Sequence, residues 1–483
     1  MKETVSLEKV FSPESVAIVG VSGSGRMGFA EGILIATLEA GCKRVYPVNP
    51  GHQNVFGIPC YPDLKSIPDK VDHVVVSIPV SGVMDLLEDS GAKGVNSVHF
   101  FTAGFSESGE PDRVILEQRM LEKARSRGFR ILGPNCVGLY IPKSKQANIT
   151  GVSHEPGDIA FLSQSGGHAY NMVDYGDPRG LRFSKVVSYG NGLDINEIEL
   201  LEYFAHDPET RIISLYIEGV KNGKSFQSTL EKAASLKPVV LCKGGKSEAG
   251  KRATFGHTAS MTSSVAVFEA VCRKANTMVT DSLEEMIDVL VALSFADSMS
   301  AGAGVALLGA GGGPSVFAGD VMEREGLCLP ALPPDIQQDL KKVLPVDGSI
   351  FANPLDTPNM ASPMAIAQAL AIMGRMPDVH AMAYHQGFHP ISRWGMNRFS
   401  SEDFKRDFVN ALLSSSAACG KPVFTVLRPP VDLKGMEEFL GVQSALVKAK
   451  LPVFYDLEKF AVALSRVVNW KRRRQAKALS PPG

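Results

Sequence analysis

The chain has 483 residues, 44% of them apolar and 21% charged, with a formal net charge of -1. This length implies two to four domains with large cores, and the balanced charge argues against a nucleic-acid binder, which needs a positive excess. Seven cysteines occur without a Cys-x-x-Cys pair, so neither a zinc site nor a disulfide framework is indicated, and a reducing, cytoplasmic setting is expected.

The start, Met1 to Ser6, has no signal-peptide apolar core. The apolar run 301–313 is too short and glycine-rich to span a bilayer. No membrane contact is expected. The first segment runs to about residue 145. Ser15-Val16-Ala17-Ile18-Val19-Gly20-Val21 is an apolar run that predicts a buried parallel strand. The loop from Gly20 to Gly28 follows, then a helical pattern over 29–40, stopped by Gly41. Strand, glycine loop and helix in this order aim backbone N–H groups at a phosphate. Further strands are expected at 44–48, 71–78, 94–100 and 128–133. The second strand ends in Tyr46-Pro47-Val48-Asn49-Pro50, without the carboxylate that a dinucleotide ribose usually takes. Together with Lys43 and Arg44 this favours a ligand with an extra phosphate. A surface basic pair is the competing reading of those two residues.

The second segment covers roughly 157–297. A strand at 159–162 leads into Ser163-Gln164-Ser165-Gly166-Gly167, a small-residue anion loop where a helix should begin. Strands follow at 183–191, 211–217 and 237–243. The middle one ends in Glu218-Gly219, which puts a carboxylate at the edge where open-sheet sites form. After the last comes a loop carrying His257, with Gly256 before it and Thr258 after. Few apolar residues surround that histidine, so it suits exposure and motion better than a core. Glu218 and His257 belong to one sheet edge and are candidates to meet.

The third segment spans about 302–468. A strand at 305–308 opens into Gly309-Ala310-Gly311-Gly312-Gly313-Pro314-Ser315, with a helical pattern over 316–325. Strands are expected at 381–384 and 422–427, and a hinge near 297–304. Lys471-Arg472-Arg473-Arg474 and the end at Gly483 read as a solvated basic tail. Each glycine turn has a plain alternative, a tight strand-to-helix connection without ligand. Three of related design point to at least one phosphate site. The fold class is therefore α/β throughout.

The residues then identify a family. Ser15 to Gly20, Gly133-Pro134-Asn135-Cys136-Val137-Gly138, Ser163-Gln164-Ser165-Gly166, Gly190-Asn191-x-x-Asp194, Tyr216-Ile217-Glu218-Gly219 and Lys243 to Gly250 leading to His257-Thr258 stand in a specific order. In that order they resemble the alpha subunit of the NDP-forming acyl-CoA synthetases, including the ADP-forming acetyl-CoA synthetases. They are more distantly similar to the succinyl-CoA synthetase alpha subunit.

The resemblance implies a CoA-binding Rossmann-like domain (1–145) and a ligase domain carrying a phosphohistidine (146–300). A second flavodoxin-like ligase domain (301–470) and the basic tail (471–483) complete the expected division. By the same resemblance His257 is the phosphorylated residue and Glu218 the carboxylate that holds it. Gly20, Ser22, Gly28 and Lys43 fall at contacts to CoA phosphates. Asn135 and Cys136 fall near the CoA thiol, and Ser163, Ser165 and Gly166 form the phosphate loop. The implied cofactor is CoA, with ADP or ATP and Mg2+ on a partner. That partner is an ATP-grasp beta subunit in a heterotetramer or higher oligomer, and the substrate an acyl-CoA or carboxylic acid. No metal site is expected on this chain. The sequence departs from the family at Ala259, where glycine is common, and at Gly167-His168. His168 and the cluster His385 to His389 read more simply as structural. Two other functions stay open: a catalytically inactive CoA-binding regulatory or scaffold protein, and a nicotinamide-dependent oxidoreductase.

Overall fold

Three short apolar runs end in small residues, and each becomes the strand at which the order of its own sheet reverses. The computed structural model describes residues 5–23, 28–258, 264–295, 297–309, 311–357, 362–387 and 401–479, with side chains described except at 254–258 and 478–479. The first sheet holds β1 (Val16–Val19), β2 (Val45–Val48), β3 (His73–Val76), β4 (Ser97–Phe100) and β5 (Arg130–Leu132). Their order is β2-β1-β3-β4-β5, all parallel. Every residue of these strands is buried, as a parallel sheet covered on both faces requires.

The second sheet holds β6 (Leu139–Tyr140), β7 (Ile159–Ser163), β8 (Phe183–Ser188), β9 (Ile212–Ile217), β10 (Val239–Lys243) and β11 (Met278–Thr280). Their order is β11-β10-β9-β7-β8-β6, and only β6 runs antiparallel to its neighbour. The third holds β12 (Val305–Gly309), β13 (Leu355–Asp356), β14 (Ala381–Gly387), β15 (Val423–Arg428) and β16 (Val453–Phe454). Its order is β13-β12-β14-β15-β16, again parallel. Apart from the edge strand β6, each sheet is built outward from one strand, first to one side and then to the other. Ligands of open α/β sheets bind at the carboxyl ends of the strands on either side of such a reversal.

The α/β class matches the sequence reading, and every expected strand is present, but β7, β12, β14 and β15 run past the expected ends, and β6, β11, β13 and β16 lie outside the expected spans. Three details differ. The chain divides into two compact units, Met1–Asp177 with Arg182–Leu283, and Pro178–Leu181 with Glu284–Gly483. The division falls at the start of a helix, Leu283–Ser294, and not at the expected hinge near 297–304. Residues 248–258 form a helix, Glu248–Thr258, rather than a loop. Its start is capped by Ser247, whose Oγ accepts the N–H of Gly250 at 3.1 Å. The basic run 471–474 is not a free tail but part of the last helix, Leu457–Leu479. There Lys471 donates to the carbonyl of Met299 at 2.5 Å and Arg472 to that of Ala301 at 3.0 Å, while Trp470 is buried. Long basic side chains can bury their stems in this way and still carry charge. No described helix is long and apolar enough to cross a membrane.

Within the first unit the two sheets are joined by a buried cation. Arg130, at the start of β5, donates to Asp194 at 2.7 Å and makes a two-pronged pair with Glu199 at 2.9 and 2.6 Å. Asp194 also accepts the backbone N–H of Ile131 at 3.0 Å. A planar guanidinium suits this fork. Asp194 of the Gly190-Asn191-x-x-Asp194 motif thus serves as a joint.

Two histidines lie inside the first sheet. His73 accepts or donates a bond with Ser97 Oγ at 2.8 Å, and His99 Nε2 donates to the carbonyl of Cys136 at 2.9 Å. Their rings stack at 6.1 Å. Burial pushes their pKa values down to about 3 and about 4. The unfolded chain binds protons near pH 6.5 that the folded chain refuses, so this contribution is whole above about pH 6.5 and is lost as pH falls toward about 4. His99→Gln keeps an N–H donor and does not titrate. Urea melts between about pH 4.5 and 7 should show its stability falling less steeply than wild type, by roughly 1.4 kcal/mol per pH unit. Equal slopes would remove His99 from this account.

Candidate active site at two strand-order reversals

The first reversal lies between β1 and β3. Gly20 follows β1 with φ +98°, and a Cβ there would collide with the carbonyl oxygen of Ser77 after β3. Glycine is needed for that close approach. A cavity of about 750 Å3 opens here, lined among others by Phe29, Ile78, Phe101, Asn135, Gly166 and Tyr170. Both its size and its mainly apolar wall fit a small-molecule site.

The glycine loop is organised by a residue the sequence reading missed. Glu31, buried in the first turn of helix Phe29–Glu39, accepts the N–H of Ser22 and, at 2.9 Å, that of Gly28. A carboxylate is favoured at a helix start, and here it takes the donors expected for a phosphate. Its signal in the sequence was the spacing, with glutamate three residues after the helix cap. Gly23 N–H reaches His52 Nε2 at 3.3 Å, and Asn49 donates to the Val21 carbonyl at 2.7 Å. The polar groups after β2 therefore meet this loop.

Lys43 does not. It precedes β2, so it lies at the amino-terminal edge of the sheet, opposite Gly20 and Ser22. It lines a separate cavity of about 420 Å3 with Gly41, Cys42 and Lys145. Arg44 pairs with Glu14. The expectation that Lys43 joins the glycine loop is corrected by strand direction: a residue entering a parallel strand is a full strand length from the site edge.

Asn135 and Cys136 reach the cavity on a loop shaped by a cis Gly133–Pro134 bond and by Asn135 at φ +57°. Asn135 N–H donates to the Thr102 carbonyl at 3.1 Å. Cys136 is buried, its Sγ lies 3.8 Å from the Phe100 carbonyl, and burial holds its thiol protonated well above the usual range. It is a wall residue, not a nucleophile. The same loop presses Val137 onto Gly166, where a Cβ would clash with it.

The second reversal lies between β7 and β9. Ser163 Oγ donates to the Ser165 carbonyl at 2.7 Å and accepts the Ser165 N–H at 3.1 Å. It holds the shape of the loop. Ser165 caps the helix Gly166–Gly176, its Oγ accepting from His168 N–H at 3.3 Å. Gly166 and Gly167 are first-turn residues, so their N–H groups have no carbonyl within the helix to bond. That is an anion-binding arrangement.

Gln164, between the two serines, ties this loop to the next strand. Its Oε1 accepts the N–H of Glu218 and, at 3.1 Å, of Gly219. Glu218 is buried, and its Oε1 accepts from Tyr216 at 3.2 Å. Its Oε2 is buried with no partner among the described residues. Lys243, at the end of β10, donates to the carbonyls of Glu218 and Gly244 at 2.5 and 2.6 Å, and burial lowers its pKa. Leaving a buried carboxylate oxygen unbonded is costly, so Glu218 is built to receive a donor. The side chain of His257 lies outside the described residues, and so does any contact it makes with Glu218.

His168 is edge-on to Tyr216, with ring centres 4.2 Å apart. His385 stands partly buried at the end of β14, while His389 lies outside the described residues. Among the described residues no group of three or more His, Cys, Asp or Glu could hold a metal ion. The second reversal offers anion binding beside a carboxylate acceptor. Timed alkylation with iodoacetamide, read by mass spectrometry, should label exposed Cys328 far faster than Cys136. Equal labelling would contradict the buried, protonated thiol.

Known proteins resemble this chain over most of its length. Residues 14–142 match the model of the CoA binding domain, and residues 156–293 that of the succinyl-CoA ligase like flavodoxin domain. The chain is 35% identical over 389 residues to the ADP-forming acetate–CoA ligase I subunit alpha of Pyrococcus furiosus, covering 78% of this chain and 82% of that protein. It is 34% identical over 375 residues to ADP-forming acetate–CoA ligase I of Archaeoglobus fulgidus, covering 77% of this chain. It spans only 54% of that second relative's length. The solved dinucleotide-forming acetyl-coenzyme A synthetase 1 of Ca. Korarchaeum cryptofilum, in complex with phosphate and ADP, superposes with a TM-score of 0.80 at 28% identity. That match covers 99% of this chain and all of that one. By these matches the chain belongs to the NDP-forming acyl-CoA synthetase family and is of its alpha-subunit type.

Proposed function

We propose that this chain is the alpha part of a nucleoside-diphosphate-forming acyl-CoA synthetase, interconverting acyl-CoA, ADP and phosphate with acid, CoA and ATP. The observation that carries the reading is the buried Glu218 Oε2, which has no partner among the described residues, at the β7/β9 reversal, tied through Gln164 to the loop that opens helix Gly166–Gly176. An acceptor beside free N–H donors suits a phosphorylated imidazole, whose second nitrogen keeps a proton to donate.

The steps balance as follows. Phosphate oxygen attacks the thioester carbonyl; a C–O bond forms, the C–S bond breaks, and the CoA sulfur takes the proton. An imidazole nitrogen of His257 then attacks phosphorus; the N–P bond forms and the acid leaves as carboxylate. A neutral imidazole, with pKa of about 6.5, is a competent nucleophile near pH 7. Glu218 accepts from its other nitrogen and fixes the tautomer. First-turn N–H groups of Gly166 and Gly167 stabilise the phosphoryl oxygens. The phosphoryl group finally passes to ADP.

In this reading 1–145 binds CoA, with Gly20, Ser22 and Gly28 shaping the loop and Asn135 and Cys136 near the thiol. Residues 146–300 carry the phosphohistidine, with Ser163, Ser165 and Gly166 forming the phosphate loop, and 301–470 form the second ligase domain. ADP and Mg2+ belong to an ATP-grasp partner, the beta subunit. Relatives named as alpha subunits support a partner of that kind.

Incubation with ATP and the beta partner should put an acid-labile, base-stable phosphate on the protein. His257→Ala should abolish it, and Glu218→Gln should slow its formation by about 100-fold or more. Undiminished labelling of His257→Ala would falsify the assignment. CoA binding without any phosphohistidine would favour an inactive CoA-binding regulator instead.

A further inference from the structure

We propose that the acyl group accepted at this site is aromatic, an aryl or arylalkyl acid whose ring lies on Phe29, Phe101 and Tyr170. The inference rests on the reading that the cavity at the β1/β3 reversal holds acyl-CoA.

Three observations point to it. First, on that reading the reacting carbonyl has a defined place. Its anionic forms, carboxylate and acyl phosphate, belong at the first-turn N–H groups of Gly166 and Gly167, and the loop bearing Asn135 and Cys136 is pressed onto Gly166 by Val137. Second, Tyr170 stands four residues after Gly166 in the same helix. Residues so spaced share one face, a single turn apart. Whatever is attached to the carbonyl therefore lies within reach of the Tyr170 ring, which is 41% exposed and lines the cavity. Third, the wall continues in rings. Phe29, at the start of its helix, is 71% exposed, and its ring centre lies 4.5 Å from that of Phe101, tilted by 35°. Both line the same cavity, with Ile78 and Val137.

Exposed aromatic rings gathered in one cavity mark a binding surface. A methyl group, the whole side chain of an acetyl unit, covers almost none of it. A flat ring adds both buried area and ring–ring contact. The volume of about 750 Å3 is in the range that encloses a drug-sized ligand, so an acyl group larger than acetyl fits beside the pantetheine arm.

The pantetheine arm is the rival occupant of this wall, and the test separates the two. Titration calorimetry with the full chain compares CoA, acetyl-CoA and phenylacetyl-CoA. Phenylacetyl-CoA should bind at least about tenfold tighter than acetyl-CoA. Phe29→Ala and Tyr170→Ala should bring that ratio toward one. Both side chains are exposed, so the variants should keep the melting temperature of the wild type, and each is checked for this. Equal affinity of the wild type for the two thioesters overturns the inference. So does equal weakening of all three ligands by the substitutions, which would assign the rings to pantetheine. In both of those results the CoA-ligase reading stands. Failure of CoA itself and both thioesters to bind overturns that reading, and this inference with it.

Discussion

The site depends on one close approach of backbone to backbone. Gly190 sits at φ +51°, and a Cβ there would collide with the carbonyl groups of Pro134 and Asn135. Because glycine has none, the last loop of the first sheet lies directly on the end of β8. Asn191 N–H reaches the Pro134 carbonyl at 3.0 Å and Leu193 N–H that of Gly133 at 3.0 Å. Arg130, clamped by Asp194 and Glu199, fixes the same joint from the strand side. Any larger residue at 190 would lift the Asn135-Cys136-Val137 loop away from Gly166, and the two reversals would no longer share a cavity.

The three small-residue turns look alike and are used differently. In the first, Glu31 takes the N–H groups of Ser22 and Gly28. In the third, Asp356 takes the N–H of Gly311 at 2.6 Å. Both turns are stabilised by an internal anion. The second is held by Ser163 and Ser165, neutral groups that bond within the loop and at the helix cap. Among the described residues its first-turn donors at Gly166 and Gly167 have no backbone partner, and Glu218 Oε2 has no donor. Electrostatics thus makes the second turn the one best suited to an added anion. The same glycines elsewhere serve tight strand-to-helix connections.

Much of this was legible in the chain. Short apolar runs ending in glycine or serine located β1, β7 and β12, because a strand buried on both faces must be apolar throughout. The Ser-Gln-Ser-Gly loop and Glu218 were identified from their position after such strands. Helix Glu248–Thr258 was read as a loop because its residues show little apolar periodicity; Ser247 as cap and the neighbouring fold stabilise it instead. Glu31 and Gln164 escaped notice for a different reason. A glutamate in a helix and an amide in a loop are ordinary on a surface, and only their partners make them structural. Lys43 was misplaced because a charge near a glycine loop in sequence says nothing about which edge of the sheet it occupies.

By itself, then, the sequence determined the local alternation of strand, turn and helix, the family, and the residue types able to carry phosphate. These follow from burial periodicity and from backbone groups that need no distant partner. The tertiary structure decided which turn keeps its donors, which buried carboxylate oxygen has no partner among the described residues, and which aromatic rings face one cavity. Each of those is settled by residues far apart in the chain, brought together by strand order and by the contact that Gly190 alone allows.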